Sequence, residues 1–182
     1  MAQHVCPWWL AYTFDNPLRR IFHRSETMFA PYLHEGMTAV DIGCGIGYFS
    51  IGMARIVGTT GKIISVDLQE KMLKTLMVRA EKAGVADRIT TVVCGENTIG
   101  INEKADFVLT FWMAHETPDE FNFFKEVHSI LKKSGTLLLV EPKIHVTVTE
   151  FKNMVSMTQE IGFKLIDSPE IYFSHTAALE KQ

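Results

Sequence analysis

A short apolar run, Ala39-Val40-Asp41-Ile42, passes straight into Gly43-Cys44-Gly45-Ile46-Gly47 and then Tyr48-Phe49-Ser50. Three glycines at alternate positions after a β-type segment and before a helical one leave few options for the fold. Glycine lets the backbone turn sharply and lets a ligand approach the main chain. In open α/β sheets such a turn lies at the carboxyl end of the first strand, where ligands bind. The dinucleotide-binding pattern, GxGxxG, needs its third glycine at position 48, which is Tyr48. Asp41 also places a carboxylate where a pyrophosphate would sit, so a nicotinamide-dependent oxidoreductase is the disfavoured reading. A ligand carrying an ammonium group suits that carboxylate better.

The rest of the chain alternates in the same sense. Strand candidates are Thr38–Ile42, Lys62–Val66, Ile89–Val93, Asp106–Thr110 and Thr136–Val140. They are short and apolar throughout, as strands of a parallel sheet covered on both faces are. Between them run helical stripes: Phe49, Met53 and Ile56; Met72, Leu73, Leu76, Met77 and Ala80; Phe121, Phe124, Val127 and Leu131; Phe151, Met154, Val155 and Thr158. Capping-box spacings start at Thr117 (with Pro118 at the first helical position), Asp67 and Thr147. Gly58, Gly84 and Gly162 mark helix ends, and Lys132 and Lys133 suit a last helical turn. Near the C-terminus, residues 162–166 and 171–179 predict two strands joined by a short turn, an antiparallel closure of the sheet edge. The aromatic segment Cys6-Pro7-Trp8-Trp9-Leu10-Ala11-Tyr12 precedes Asn16-Pro17, which opens a helix to about Tyr32.

Composition narrows the function. With 18 Lys+Arg against 21 Asp+Glu the formal charge is −3, which offers no basic excess for a nucleic-acid backbone. No apolar run is long enough to span a bilayer, and the first twenty residues show no secretory signal. The three cysteines, Cys6, Cys44 and Cys94, are odd in number and contain no CxxC, and the seven histidines form no metal-binding cluster. A reducing, cytoplasmic setting without a metal is the expectation.

Asp41-x-Gly43-x-Gly45-x-Gly47 resembles motif I of the class I S-adenosylmethionine-dependent methyltransferases, in their small type-11-like form. The resemblance runs from about Gly36 to the end of the chain. Asp67, closing the second strand in Ser65-Val66-Asp67-Leu68, stands where that family holds both ribose hydroxyls, and a carboxylate has an acceptor oxygen for each. Gly95-Glu96-Asn97 stands where the family often carries Gly-Asp-Ala, so Glu96 would face the adenine amino group, with Glu in place of Asp. The stretch from Leu131 to Pro142 is similar to the family's fifth-strand phrase. The resemblance implies a Rossmann-like, doubly wound, mostly parallel sheet of order 3-2-1-4-5-7-6 with an antiparallel C-terminal strand. It implies one methyltransferase domain over 1–182, with 1–35 as an aromatic and helical cap. The cofactor would be S-adenosylmethionine, held by Asp41, Gly43, Cys44, Gly45, Gly47, Asp67, Leu68, Gly95, Glu96 and Phe111.

The segments after the fourth and fifth strands would carry the acceptor end. His115 is the candidate general base, since an imidazole titrates near neutral pH; a solvated loop histidine fits the residue equally. Trp8, Tyr12, Trp112, Glu141 and His145 join His115 as candidates for the substrate pocket. Cys44 and Cys94 read as small filler residues beside the cofactor. The N-terminal aromatics either pack on the core, close over the cavity as a lid, or meet a partner or membrane surface, and Arg19 and Arg20 either meet an anionic substrate or form solvated surface. The expected reaction is in-line methyl transfer to a small molecule, with a homodimer compatible. A cofactor-binding module without catalysis is the alternative of a different class.

Overall fold

The structure, a computed structural model, describes residues 23–182. Among them a seven-stranded sheet runs β3-β2-β1-β4-β5-β7-β6. The strands are β1 (Thr38–Ile42), β2 (Lys62–Asp67), β3 (Ile89–Val93), β4 (Ala105–Phe111), β5 (Leu131–Pro142), β6 (Phe163–Asp167) and β7 (Ser174–Lys181). The pairings among β1 to β5 are parallel, whereas β7 is antiparallel to both β5 and β6. The helices are α1 (Ser25–Phe29), α2 (Tyr48–Ile56), α3 (Glu70–Ala83), α4 (Glu120–Ile130) and α5 (Val148–Ile161). The sheet order is the one the family resemblance implies, and the antiparallel end is the one the C-terminal strand pattern predicts.

Residue alternation along the central strands supplies two cores. Ala39, Phe107, Leu109, Leu138 and Val140 point to one, where they meet Phe29 of α1, Phe49 and Met53 of α2 and Leu76 of α3. Their neighbours Val40, Val108, Leu137 and Leu139 point to the other, with Phe124 and Val127 of α4 and Phe151 and Met154 of α5. A period of two on strands covered on both sides is why the sequence reads as unbroken apolar runs. α1 is short but fully engaged: Phe29 is buried against Phe49 at 5.6 Å between ring centroids, and a β-carbon on Gly52 would lie 2.3 Å from Ser25 Oγ. Of the helix expected over residues 16–32, residues 16–22 lie outside the described residues; in the rest only Ser25–Phe29 is helical, and residues 30–32 form a turn, so that helix ends three residues early.

Several local expectations need correction. β3 is an outer strand, with only Ile89 fully buried and Val93 about half exposed. β5 starts at Leu131, so Lys132 and Lys133 lie on a strand; the Lys132 ammonium donates to both Asp106 carboxylate oxygens at 2.8 and 2.9 Å. α4 is capped by Asp119, whose carboxylate accepts from the Asn122 N–H, so Pro118 precedes the helix. Phe121, placed on the apolar stripe of that helix, is largely exposed. α3 starts three residues after Asp67, which leaves that carboxylate for another task. β7 starts at Ser174, three residues later than expected, whereas the stop expected at Gly58 is present: α2 ends at Ile56 with Val57 as C-cap, and Gly58 follows at φ 66°. The Thr147–Glu150 capping box and the left-handed Gly84 and Gly162 C-caps are present as expected. No helix among the described residues is long and apolar enough to cross a membrane.

Candidate functional site

The carboxyl ends of β1, β2, β4 and β5 open onto one cavity of about 600 Å³. Its floor is the glycine turn. Gly43, Gly45 and Gly47 all have positive φ, and the three do different work. A β-carbon on Gly43 would lie 2.8 Å from Met113 Cγ, and one on Gly47 would lie 2.4 Å from Leu76 Cγ. Gly47 is therefore the close-packing point between the start of α2 and α3, and it does not reach the cavity wall. A β-carbon on Gly45 would meet no atom within 4 Å. That open space borders the cavity and leaves the main chain reachable by a ligand.

Two buried acids flank the turn. Asp41 is 2% exposed; its Oδ2 accepts from the Ser50 hydroxyl at 2.5 Å, and Ser50 accepts from Ser65 at 2.9 Å. Asp67 accepts from the Gly45 N–H through Oδ2 and from the Gln69 N–H through Oδ1, both at 2.9 Å. Burial raises the Asp67 carboxyl above its ordinary value, and the two N–H donors offset only part of that rise. Each Asp67 oxygen has a further lone pair, so the backbone bonds fix the carboxylate without exhausting it. Both acids border the cavity.

Cys44, Leu68, Gly95, Glu96 and Phe111 also line the wall, so nine of the ten residues predicted for the cofactor meet in one cavity, Gly47 being the exception. Cys44 and Cys94 are free thiols on that wall. Burial, then the charges of Asp41 and Asp67, raises the Cys44 thiol well above its usual range; burial raises Cys94 to about 11. Neither is an activated nucleophile.

The opposite end is built by β4 and β5. Phe111 ends β4 and Trp112 follows it, with ring centroids 5.1 Å apart, and the buried His23 ring sits edge-on to both. Trp112 lies at φ 58°, a left-handed conformation rare for a tryptophan. Its N–H donates to Val140 O (2.8 Å) and its indole N–H to Ser174 Oγ (2.9 Å), which over-determine that conformation. The chain then makes a single 3-10 turn, Ala114–Glu116, which carries His115.

His115 Nδ1 is hydrogen-bonded to Glu141 Oε2, and Glu141 Oε1 accepts from the Ala114 N–H at 2.9 Å. Glu141, expected on the pocket wall, is 0% exposed and sits behind His115 instead. The reason is periodicity: on β5 it falls where the strand is covered, so its carboxylate reaches the turn from beneath. Burial alone would lower the His115 pKa, but the Glu141 hydrogen bond and charge, with Glu116 and Glu120 beyond, hold it above 6.5. His145 stacks on His115 with centroids 5.9 Å apart, and both rings border the cavity, as does Trp112. Trp8 and Tyr12 lie outside the described residues. Met113, Glu126 and Ile144 border the cavity although nothing in the sequence singles them out. Glu126 reaches from α4 to accept from the Ile99 N–H (2.6 Å), a pairing across 27 residues with no local signature. No group of three or more His, Cys, Asp or Glu among the described residues has the arrangement of a metal site.

Residues 33–172 match a family model described as a methyltransferase domain. The demethylmenaquinone methyltransferase of Staphylococcus aureus (strain MRSA252) is 27% identical over 126 residues, covering 69% of this chain and 51% of that protein. The chain thus spans about half the length of the curated relatives it matches. A SAM-dependent methyltransferase from Aquifex aeolicus superposes with a TM-score of 0.87 at 20% identity, over 98% of this chain and all of the other. A putative rRNA-methylase from Clostridium thermocellum superposes with a TM-score of 0.67 at 17% identity, over 87% and 96% of the two chains.

Proposed function

The chain belongs to the methyltransferase domain family, of the class I S-adenosylmethionine-dependent kind, and on that premise we propose that it moves a methyl group onto a small-molecule acceptor. The observation that carries this reading is the single cavity. It joins an accessible glycine turn and two buried acids at one end to an aromatic, imidazole-bearing wall at the other.

The residues fit the cofactor. The open face of Gly45 admits a ligand against the main chain, Asp41 suits an ammonium group, and Asp67 keeps lone pairs for two vicinal hydroxyls. Gly95 and Glu96 border the cavity where the adenine would extend. When bound, the cofactor supplies a methyl on a sulfonium, whose sulfur retains the electron pair of the broken bond. The chain's contribution is alignment and exclusion of water. Phe111, Trp112 and His145 offer the acceptor flat apolar and imidazole surfaces, and His115 is the group that would take its proton.

A neutral acceptor is favoured because no Lys or Arg borders the cavity among the described residues. The name of the S. aureus relative points the same way, toward a quinone-type molecule. Trp8 and Tyr12, outside the described residues, enter this reading from the sequence alone, as pocket candidates on a cap over residues 1–35 of one 1–182 domain. Cytoplasmic location and acceptors other than nucleic acid belong to the same proposal.

The test is calorimetry with S-adenosylhomocysteine, followed by transfer of labelled methyl into a fractionated metabolite extract and, in parallel, into total RNA. Saturable binding and label in a small-molecule fraction are expected. Binding of NAD without S-adenosylhomocysteine, or label confined to RNA, would overturn the proposal.

A further inference from the structure

We propose that Glu141 is a positioning residue: it holds His115 in the one tautomer whose Nε2 can take a proton from an acceptor in the cavity. This rests on the methyl-transfer reading above and adds to it the requirement that the acceptor has an ionisable hydroxyl.

The geometry leaves Glu141 little else to do. Its carboxylate has no contact with solvent, and its two oxygens serve neighbouring residues of one turn, Oε1 the Ala114 N–H and Oε2 the His115 ring. A carboxylate oxygen accepts, so Nδ1 must carry a hydrogen in both charge states of the ring. The neutral ring then has its lone pair on Nε2. The ring borders the cavity, and no partner for Nε2 occurs among the described residues. Bracing the Ala114 N–H at the same time fixes the turn that carries the ring, so the ring is held at its base as well as at its edge.

The groups around the ring act in one direction. Glu141 faces it from β5, Glu116 from its own turn and Glu120 from α4, all acidic, while burial opposes them. His145, from the loop after β5, stacks on the ring. A buried carboxylate is tolerated where a cation can form against it, and the imidazolium created by proton uptake is that cation. In the step itself the acceptor O–H bond breaks and its proton goes to Nε2. The electron pair left on the acceptor would form the new bond to the methyl carbon as the methyl–sulfur bond breaks, its pair remaining on sulfur. An acceptor without a proton to lose gains nothing from this arrangement.

The test is a ¹⁵N-detected NMR titration of the histidines in the full chain, with His115 assigned from H115Q. Expected in the parent are an Nδ1–H neutral tautomer and a pKa above 6.5. In E141Q the amide oxygen can still accept from Ala114, so the amide nitrogen donates to Nδ1 and the ring proton moves to Nε2, with a lowered pKa. The same tautomer and pKa in parent and E141Q would overturn the proposal. If E141Q does not fold, an Nε2–H tautomer in the parent overturns it alone. S-adenosylhomocysteine is added as a probe: a chemical-shift change at other cavity residues reports the cofactor reading separately, so the two can fail independently. With a naphthalenediol sized for the cavity as acceptor, E141Q should lose about 100-fold in kcat with KM held within twofold. A parent-like kcat would overturn the role.

Discussion

The two ends of the cavity are built on different principles. At the β1–β2 end the working parts are main chain and two anchored acids, assembled within about one βαβ unit. At the β4–β5 end they are side chains brought together across the sheet: Trp112 tied to Ser174, and His115 tied to Glu141. The first end needs small residues and precise backbone; the second needs charge and tautomer. Damage to the first should therefore appear in folding and binding, and damage to the second in turnover.

The largest expected effect probes the backbone end. Gly47→Ala forces a β-carbon onto Leu76 at a left-handed φ, and should cost about 3 kcal/mol in a denaturant melt. Gly45→Ala has free space and should cost only about 1 kcal/mol of stability, while weakening S-adenosylhomocysteine markedly. Equal melts for the two variants would break the division of labour among the glycines. Next, His115→Ala should lower kcat by about 100-fold and leave S-adenosylhomocysteine affinity within twofold, which sharpens the contrast between the ends. A comparable loss of affinity would merge them.

Asp67→Ala should weaken S-adenosylhomocysteine by about 1–3 kcal/mol in a calorimetric titration, the cost of leaving two hydroxyls unpaired. An unchanged affinity would remove the ribose assignment. The smallest effect concerns pH. The folded pKa of His115 is raised above the unfolded value, so its contribution to stability is full below about pH 6.5. That contribution is lost as pH rises through the folded pKa. The stability advantage of the parent over His115→Ala should accordingly shrink from pH 6 to pH 9. A difference independent of pH would show that the ring is held by packing alone.

The same contrast governs how much of the molecule is legible in its sequence. Asp41, Gly43, Gly45 and Asp67 announce themselves because their spacing is local: a strand, a turn and the next strand's end. Five of the seven strands start within a residue or two of where the apolar runs predict, because a doubly covered strand is uniformly apolar. Where the sequence misleads, competing physics is at work. Lys132 and Lys133 suit a helix end as well as the exposed start of β5; the pairing of Leu131 with Ala105 of β4 places them on the strand, where Lys132 meets the Asp106 carboxylate. Val93 carries the β-branched signature of a covered strand although β3 is at the border, where propensity says nothing about which strand lacks a neighbour. Asp119 takes the cap two residues beyond Thr117 because its own carboxylate reaches the Asn122 N–H, a competition between two good cap residues that spacing alone does not decide. His115 and Glu141 each stand out separately, but their union spans 26 positions and is made by the β4–β5 pairing, which no short-range pattern encodes.

The burial of Glu141 has an evolutionary side. A carboxylate sealed from water tolerates its position through the ring above it and one peptide N–H. A lineage that replaced His115 while retaining Glu141 would inherit an uncompensated charge inside the sheet edge and a less stable protein. The two positions should therefore change in concert, and a descendant that had abandoned proton abstraction would be recognisable by an apolar or amide residue at 141 long before its glycine turn eroded.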